Sequence, residues 1–395
     1  MKKKLLCLVC VLVLVISSLT GCASGNTTKN TTENTPASTV SNTAASTTTT
    51  TNTANTSSTA NTANTTADSG SASLERTLKL SKDPSEYKIC IYWPAPDTYF
   101  QDNIQPGYQA IEKEYGIKID YVIGTEWTQD VENQMVEAKA AEGYNLFLIY
   151  GADTSGANAL YKELTSNGCT VINYGGVMDD PQESSFTVCG DVYDYSYNAT
   201  KKMIEAIGEK GTIIDVLENL GDVNTLQRQK GVEAAVKEYP NVSICQTVGD
   251  IDTEDQGYEK VSNALAANPD ASGIIATGGT ASRGLANALE DYYSSNKSAN
   301  HIYAVATDPS DEVLKGIKDG TIDVGIAQNG FGQGYLGALG MLYLTNGWKI
   351  KDPGVHIVTG YVFITTDNLT SYSSDIEALT KKIAGEFETK YFEKE

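Results

Sequence analysis

From Lys88 onward the chain alternates short apolar runs with segments of helical period, and this alternation restricts the fold more than any other feature. The first runs are Lys88-Ile-Cys-Ile-Tyr-Trp93, Lys118 to Ile123, Asn145-Leu-Phe-Leu-Ile-Tyr150 and Thr170-Val-Ile-Asn-Tyr174. Between them, Ile104, Tyr108, Ile111 and Tyr115 share one helical face. Val131, Met135 and Ala138 share another, and Leu160 and Leu164 mark a third. Strands separated by helices at this spacing predict a parallel sheet covered on both faces. Ser185-Phe-Thr-Val-Cys189 reads as an edge strand that closes this unit. After Gly190 the pattern starts again. Helices over Tyr195 to Ile207, Val223 to Glu238, Glu254 to Ala267 and Thr280 to Tyr293 alternate with strands at Thr212 to Leu217, Val242 to Val248 and Gly273 to Thr277. The same unit thus builds two lobes. A Gly-rich helix from Gly330 to Asn346, a long strand from Val355 to Thr366 and a polar helix from about Ser373 to Tyr391 complete the chain.

Within the second repeat, Tyr303-Ala-Val-Ala-Thr-Asp308-Pro309, the amphipathic stretch Asp311 to Lys318, and Thr321-Ile-Asp-Val-Gly-Ile-Ala-Gln328 form strand, helix and strand. A polar residue stands at the end of each strand. In open α/β sheets ligands sit beyond the carboxyl ends of the strands, where loops and helix N-termini converge. Asp308 and Gln328 are therefore ligand candidates from position alone. The structural readings stand beside this: Asp308 as a turn or helix cap before Pro309, and Gln328 as the plain end of a strand.

The N-terminus reads as a processing signal. Lys2, Lys3 and Lys4 precede an apolar core from Leu5 to Ile16, and Leu19-Thr-Gly-Cys22 ends residues 1–21 in a small-residue cleavage site. The apolar run is too short to span a bilayer. Leu-Thr-Gly-Cys resembles the lipobox of bacterial lipoproteins, which implies lipid attachment at Cys22, a peripheral anchor and a place on the extracytoplasmic face of the cell membrane. Residues 22–73 are almost entirely Thr, Asn, Ser and Ala, too poor in apolar side chains to build a core. They read as a tether whose ends lie about 40 Å apart as a flexible coil.

About 320 residues remain after the tether, the size of two ordinary lobes. The formal net charge of −21 becomes −24 once the three leader lysines are removed. So acidic a surface argues against nucleic acid as a partner. Cys90, Cys169, Cys189 and Cys245 lack the close spacing of metal ligands and read as buried free thiols, although a disulfide is permitted outside the cell. No metal or cofactor is expected.

Seven ordered stretches carry a resemblance to a known family: Asp97-Thr-Tyr99-Phe100, Arg228-Gln-Lys-Gly231, Gly249-Asp-Ile-Asp252, Asn268 to Ile275, Val305-Ala-Thr-Asp308, Lys318 to Gln328, and Ile364-Thr-Thr-Asp-Asn-Leu369. The region from Tyr87 to Leu369 resembles the type 1 periplasmic binding proteins of ABC transporters, the ribose- and galactose-binding kind. The resemblance implies an α/β fold of two Rossmann-like lobes, each a parallel sheet with helices on both faces, joined by a three-segment hinge and closing over a ligand. It assigns 86–190 with 329–358 to the N-terminal lobe and 191–328 with 359–395 to the C-terminal lobe, with crossings near Gly190, Gln328 and Thr359.

Carried over by position, the resemblance makes Arg228 the arginine aimed at ligand hydroxyls, a task suited to its fixed fork of donors. Asp308 becomes the acceptor for sugar hydroxyls, and Gln328 the amide that both donates and accepts. Tyr99 and Phe100 fall where aromatics face the sugar ring, with core packing as the alternative. Asp97 falls where an asparagine is common, in a loop one residue longer. Two departures stand out: Gly175-Gly176 and Gly278-Gly279 occupy positions where ribose-like proteins carry Asp-Arg and Asn-Asp. Glycine allows close backbone approach and leaves volume, which points to a larger ligand, or to one read partly by backbone amides, and away from a monosaccharide held in the ribose manner. Trp127, Tyr150 and Tyr174 are further stacking candidates.

No enzyme motif competes. His301 and His356 are the only histidines, and neither a Gly-x-Ser-x-Gly elbow nor a phosphate loop is present. The expected function is a solute-binding lipoprotein, monomeric and not an enzyme, that captures a small ligand, a carbohydrate first, for the permease of an ABC importer. The alternative is a receptor for a nucleoside or signalling molecule.

Overall fold

The computed structural model describes residues 78–96 and 98–395, all within the compact unit Gly70–Glu395. The leader, Cys22, the tether and Asp97 lie outside the described residues.

Continuous apolar runs need cover on both sides, and each sheet has it. The first lobe contains β1 (Ile89–Trp93), α1 (Gln105–Tyr115), β2 (Ile119–Ile123), α2 (Gln129–Ala141), β3 (Leu146–Ile149), α3 (Thr154–Ser166), β4 (Thr170–Gly175) and β5 (Thr187–Cys189). The second contains α4 (Val192–Ala206), β6 (Gly211–Glu218), α5 (Val223–Lys237), β7 (Val242–Ile251), α6 (Glu254–Ala267), β8 (Gly273–Ala276), α7 (Gly279–Ser295), β9 (Tyr303–Thr307), α8 (Asp311–Asp319) and β10 (Val324–Gln328). The C-terminal part adds α9 (Gly330–Thr345), β11 (Trp348–Ile350), β12 (His356–Val358), β13 (Tyr361–Ile364), α10 (Tyr372–Gly385) and β14 (Phe392–Lys394).

The sheets are ordered β12-β5-β4-β3-β1-β2 and β13-β10-β9-β8-β6-β7. Each therefore repeats one doubly wound core, with its first strand between its second and third. Every pairing within the two sheets is parallel except β13 against β10. The order of strands reverses beside β1 in one lobe and beside β6 in the other, which is where such sheets leave a crevice at their carboxyl ends.

The chain passes between the sheets after Cys189, at Asn329 and at Thr359-Gly360. One buried network joins these passages. Thr359 N–H donates to the Cys189 carbonyl at 2.9 Å, and the Asn329 side-chain amide donates to the Thr359 carbonyl at 2.7 Å and to Thr380 Oγ1 at 3.0 Å.

Four sequence expectations are corrected. The strand read from Val355 to Thr366 is two strands, β12 in the first sheet and β13 in the second, separated by Gly360 at φ +73°. Ser185–Cys189 is not an edge, because β12 lies outside it. Cys245 is an exposed thiol; Cys90 and Cys189 are buried, and burial pushes both up to about 12. Finally, the chain does not end in the C-terminal lobe. Ile376 of α10 packs in the second lobe's core, while Ile383, Phe387, Tyr391 and Phe392 pack in the first lobe's, and β14 pairs with β11. The reason is apolar: Phe387 and Phe392 lie fully buried around Tyr343.

Candidate cleft between the lobes

The carboxyl ends of the central strands converge on a cleft of about 840 Å³. Its first-lobe wall is aromatic. Trp93, the last residue of β1, stacks on Tyr99 with ring centroids 5.6 Å apart and planes 20° from parallel, while Tyr150 meets it edge-on at 4.9 Å and Trp127 at 6.2 Å. Trp127 is steered by its indole N–H, which donates to the Ala152 carbonyl at 3.0 Å; the Ala152 backbone N–H in turn donates to buried Glu132 Oε2 at 2.6 Å. Burial pushes the Glu132 carboxyl up to about 7.

The second-lobe floor is polar and charged. Arg228 projects from α5, and its Nε donates to Tyr195 Oη at 2.5 Å. Its guanidinium is nearly enclosed, with Glu218 Oε2 at 3.9 Å from Nη1. Burial works against this charge, but Tyr195, Glu218, Asp222 and Asp308 hold the arginine protonated above its ordinary value. Asp308 follows β9 in a left-handed backbone conformation, φ +63°, one that Asp tolerates better than most residues. Its carboxylate does not cap α8, because Ser310 Oγ accepts from Val313 N–H in that role. It accepts instead from Gln328 Nε2, at 3.0 and 3.3 Å to its two oxygens. Burial raises the Asp308 pKa to about 6, against the opposing pull of Gln328 and Arg228. Tyr99 lies within electrostatic reach of Asp308 and Arg228 from the opposite lobe, and burial raises its hydroxyl.

The glycine pairs do not leave the volume that the sequence suggested. A Cβ on Gly175, at φ +86°, would fall 1.9 Å from the Tyr150 ring. One on Gly278 would fall 2.1 Å from Glu218 Cδ, and one on Gly279 2.7 Å from Asp308 Oδ2. Three of the four glycines make room for side chains arriving from neighbouring strand ends. The expectation of a larger ligand loses that support.

Of the residues singled out by sequence, Tyr99, Arg228, Asp308 and Gln328 line one cleft, together with Trp127 and Tyr150. Phe100 is corrected. It is fully buried in the first lobe's core against Tyr108 and Tyr121, because one residue of helical rotation past Tyr99 turns its ring away from the opening. Tyr174 is also buried, its hydroxyl donating to the Tyr92 carbonyl at 2.9 Å. Sequence reasoning missed Trp93, Arg283 and Glu218. Trp93 and Glu218 both end strands, so the rule that found Gln328 also covers them.

Residues 89–348 match the family described as the periplasmic binding protein domain. The chain belongs to this family. Its members bind solutes rather than transform them, and the two-lobed architecture is the type 1 form. Among relatives, a D-apiose import binding protein of Actinobacillus succinogenes is 30% identical over 100 residues, 25% of this chain and 32% of that protein. A second D-apiose import binding protein, from Paraburkholderia graminis, is 26% identical over 90 residues, 23% of this chain and 29% of that one. The chain thus spans about a third of the length of these curated relatives. Among solved structures, a solute-binding protein of Burkholderia graminis in complex with D-arabinose superposes with a TM-score of 0.66 at 22% identity, over 74% of this chain and 99% of that one. The arabinose-binding protein AraP of Geobacillus stearothermophilus does so at 0.64 and 16%, over 73% and 99%. At these identities the likeness is one of fold.

Proposed function

We propose that the protein is a solute-binding lipoprotein that takes an uncharged sugar or related polyol into this cleft and delivers it to an ABC-type importer. One observation carries the reading: an aromatic wall of Trp93 and Tyr99 faces a floor of Arg228, Asp308 and Gln328. A sugar ring offers apolar C–H faces and a rim of hydroxyls that each donate and accept. Aromatic faces cover the first, and an arginine, a carboxylate and an amide together satisfy the second, replacing the water that burial removes. The names of the relatives support the carbohydrate class, since two are D-apiose import binding proteins and solved relatives hold D-arabinose or D-allose.

Binding begins on one lobe, and closure satisfies the remaining hydrogen bonds, so the ligand shifts the population toward the closed state by its tighter binding there. Asp97, in the loop that carries Tyr99, is a further candidate contact. Cys22 carries the lipid, residues 22–73 are the tether, and the folded part acts as a monomer outside the cytoplasm. The described residues include no helix long and apolar enough to cross a membrane.

A thermal-shift screen tests the ligand class with D-apiose, D-arabinose, D-allose, myo-inositol, disaccharides and nucleosides. Stabilisation by at least one sugar or polyol and by no nucleoside is the expected result. Stabilisation by a nucleoside alone overturns the assignment.

A further inference from the structure

We propose that Glu218 sets ligand specificity in the second lobe by accepting a hydrogen bond from a ligand hydroxyl that simultaneously accepts from Arg228. This rests on the sugar reading above.

The starting point is how α7 is capped. The helices α2, α3, α4, α5, α6, α8 and α9 each take a hydrogen bond on their first-turn amides from the side chain of their own N-cap residue. At α7 the N-cap is Gly278, which has no side chain to offer. Glu218 comes in from the end of β6 instead, and its Oε1 accepts from Thr280 N–H at 2.7 Å and Ala281 N–H at 3.2 Å. A carboxylate suits this helix end, because the macrodipole favours negative charge there. A local Ser, Thr or Asp at 278 supplies the same cap more simply. What the borrowed cap adds is a carboxylate held in the cleft.

Only one of its oxygens is used by the helix. Oε2 lies 3.9 Å from Arg228 Nη1, beyond hydrogen-bond distance, and the Glu218 side chain retains 22% of its exposure. An oxygen placed about 2.8 Å from both atoms fits that gap as the apex of a triangle. The group that fits chemically is a hydroxyl, which accepts from the guanidinium and donates to the carboxylate. A carboxylate or phosphate on the ligand only accepts and would face Glu218 and Asp308; an ammonium only donates and would face Arg228. The site is thereby tuned to a neutral polyol. Gly278 is the enabling residue, since its Cβ position is occupied by Glu218 Cδ within 2.1 Å.

The experiment uses the full-length mature protein with D-apiose, D-arabinose, D-allose and myo-inositol, measured by titration calorimetry, and the monodeoxy analogues of whichever binds best. Glu218→Gln keeps an oxygen for Thr280 and Ala281 but turns the second atom from acceptor to donor. The expected result is a roughly tenfold to hundredfold loss of affinity for the best sugar, a near-unchanged melting temperature without ligand, and one deoxy analogue whose already weakened binding is indifferent to the substitution. Gly278→Ala, at a φ of −129° that alanine accepts, displaces Glu218 and gives a loss that does not add to that of Glu218→Gln. A lowered melting temperature with unchanged affinities in Glu218→Gln makes the residue a helix cap only and overturns the proposal. Failure of the wild type to bind any of the sugars removes the sugar reading and this inference together.

Discussion

Gln328 Nε2 lies 3.0 Å from one oxygen of the Asp308 carboxylate and 3.3 Å from the other. The two residues end neighbouring parallel strands, with Ile326 of β10 level with Thr307 of β9. Their side chains meet because both emerge where the sheet stops. This arrangement leaves the Gln328 carbonyl as an acceptor, and Gln328 immediately precedes Asn329 in the hinge. If Gln328 meets the ligand as proposed, that contact sits one residue from the Asn329 passage between the lobes.

Asp308 titrates with a consequence for stability. Its pKa in the folded protein is raised to about 6, chiefly by burial, whereas the unfolded chain returns it to about 3.9. Between these values the folded state binds more protons than the unfolded state, so the contribution to stability falls as pH rises. It is complete below about pH 4 and lost by the time pH passes through 6. Asp308→Asn removes the titration, and Asn tolerates the left-handed backbone there. The expected outcome of urea denaturation without ligand is a stability difference that moves in favour of Asp308→Asn by on the order of 1–3 kcal/mol between pH 4 and 7. A difference flat in pH refutes the buried-carboxylate assignment. Glu132 and Asp215, both pushed up to about 7 by burial, act in the same direction in the two proteins and cancel from the comparison.

Arg228 is held by Tyr195 and faces Glu218 and Asp308. Arg228→Ala removes the guanidinium that lies 3.9 Å from Glu218 and that also favours the charged form of Asp308. We expect no thermal shift with any sugar that stabilises the wild type, and a loss of about 1–3 kcal/mol in unliganded stability. Arg228→Lys keeps the charge but not the fork, so it recovers stability more than it recovers binding. Circular dichroism and the same ligand screen separate the two effects, and recovery of full affinity in the lysine variant contradicts the role of the guanidinium geometry.

Adjacent glycines give a sharper contrast. Gly175 sits at φ +86° with the Tyr150 ring 1.9 Å from where a Cβ would fall, while the nearest atom at Gly176 is the Met178 methyl at 3.8 Å. Gly175→Ala is expected to cost at least about 1–2 kcal/mol from the backbone alone and to weaken ligand binding by moving Tyr150. Gly176→Ala is expected to change stability by less than about 1 kcal/mol. Equal effects at the two positions refute the account of why glycine stands at 175.

The double α/β repeat was legible in the sequence because continuous apolar runs admit few alternatives, and the strand-end places of Asp308 and Gln328 were legible because each closes such a run, although position alone equally allowed a turn, a cap or a plain strand end. Glu218 was not, because the strand was read as ending at Leu217, one residue early. Phe100 was a cleft candidate only by family position, with core packing as the alternative, and the helical turn that begins at Tyr99 points the two neighbouring rings in different directions, so that Phe100 packs in the core. The glycine pairs were read as empty space because what fills them arrives from other strands, a relation that no local pattern encodes. The final strand was hidden for the same reason. Phe387, Tyr391 and Phe392 are compatible with a helical face, and the β11 residue that pairs with Phe392, Ile350, lies far back along the chain.

That C-terminal segment makes a fourth link between the lobes, and it carries the last prediction. Phe392 is fully buried, with its ring 5.0 Å from that of Tyr343, 5.1 Å from Phe387 and 5.7 Å from Phe186. Phe392→Ala is expected to cost about 3–5 kcal/mol, a large share of the stability of a domain, measured by urea denaturation. Thr380→Val tests the hinge without opening the core. Thr380 exchanges hydrogen bonds with buried Asn329 at 3.0 and 3.1 Å, so the valine leaves the amide short of partners and costs about 1–3 kcal/mol. Because Asn329 also holds the Thr359 carbonyl, the same substitution loosens the passages between the lobes. Its expected signature is a change in ligand affinity although Thr380 lies outside the set of residues lining the cleft. Unchanged affinity together with the loss of stability confines the role of Thr380 to holding the fold.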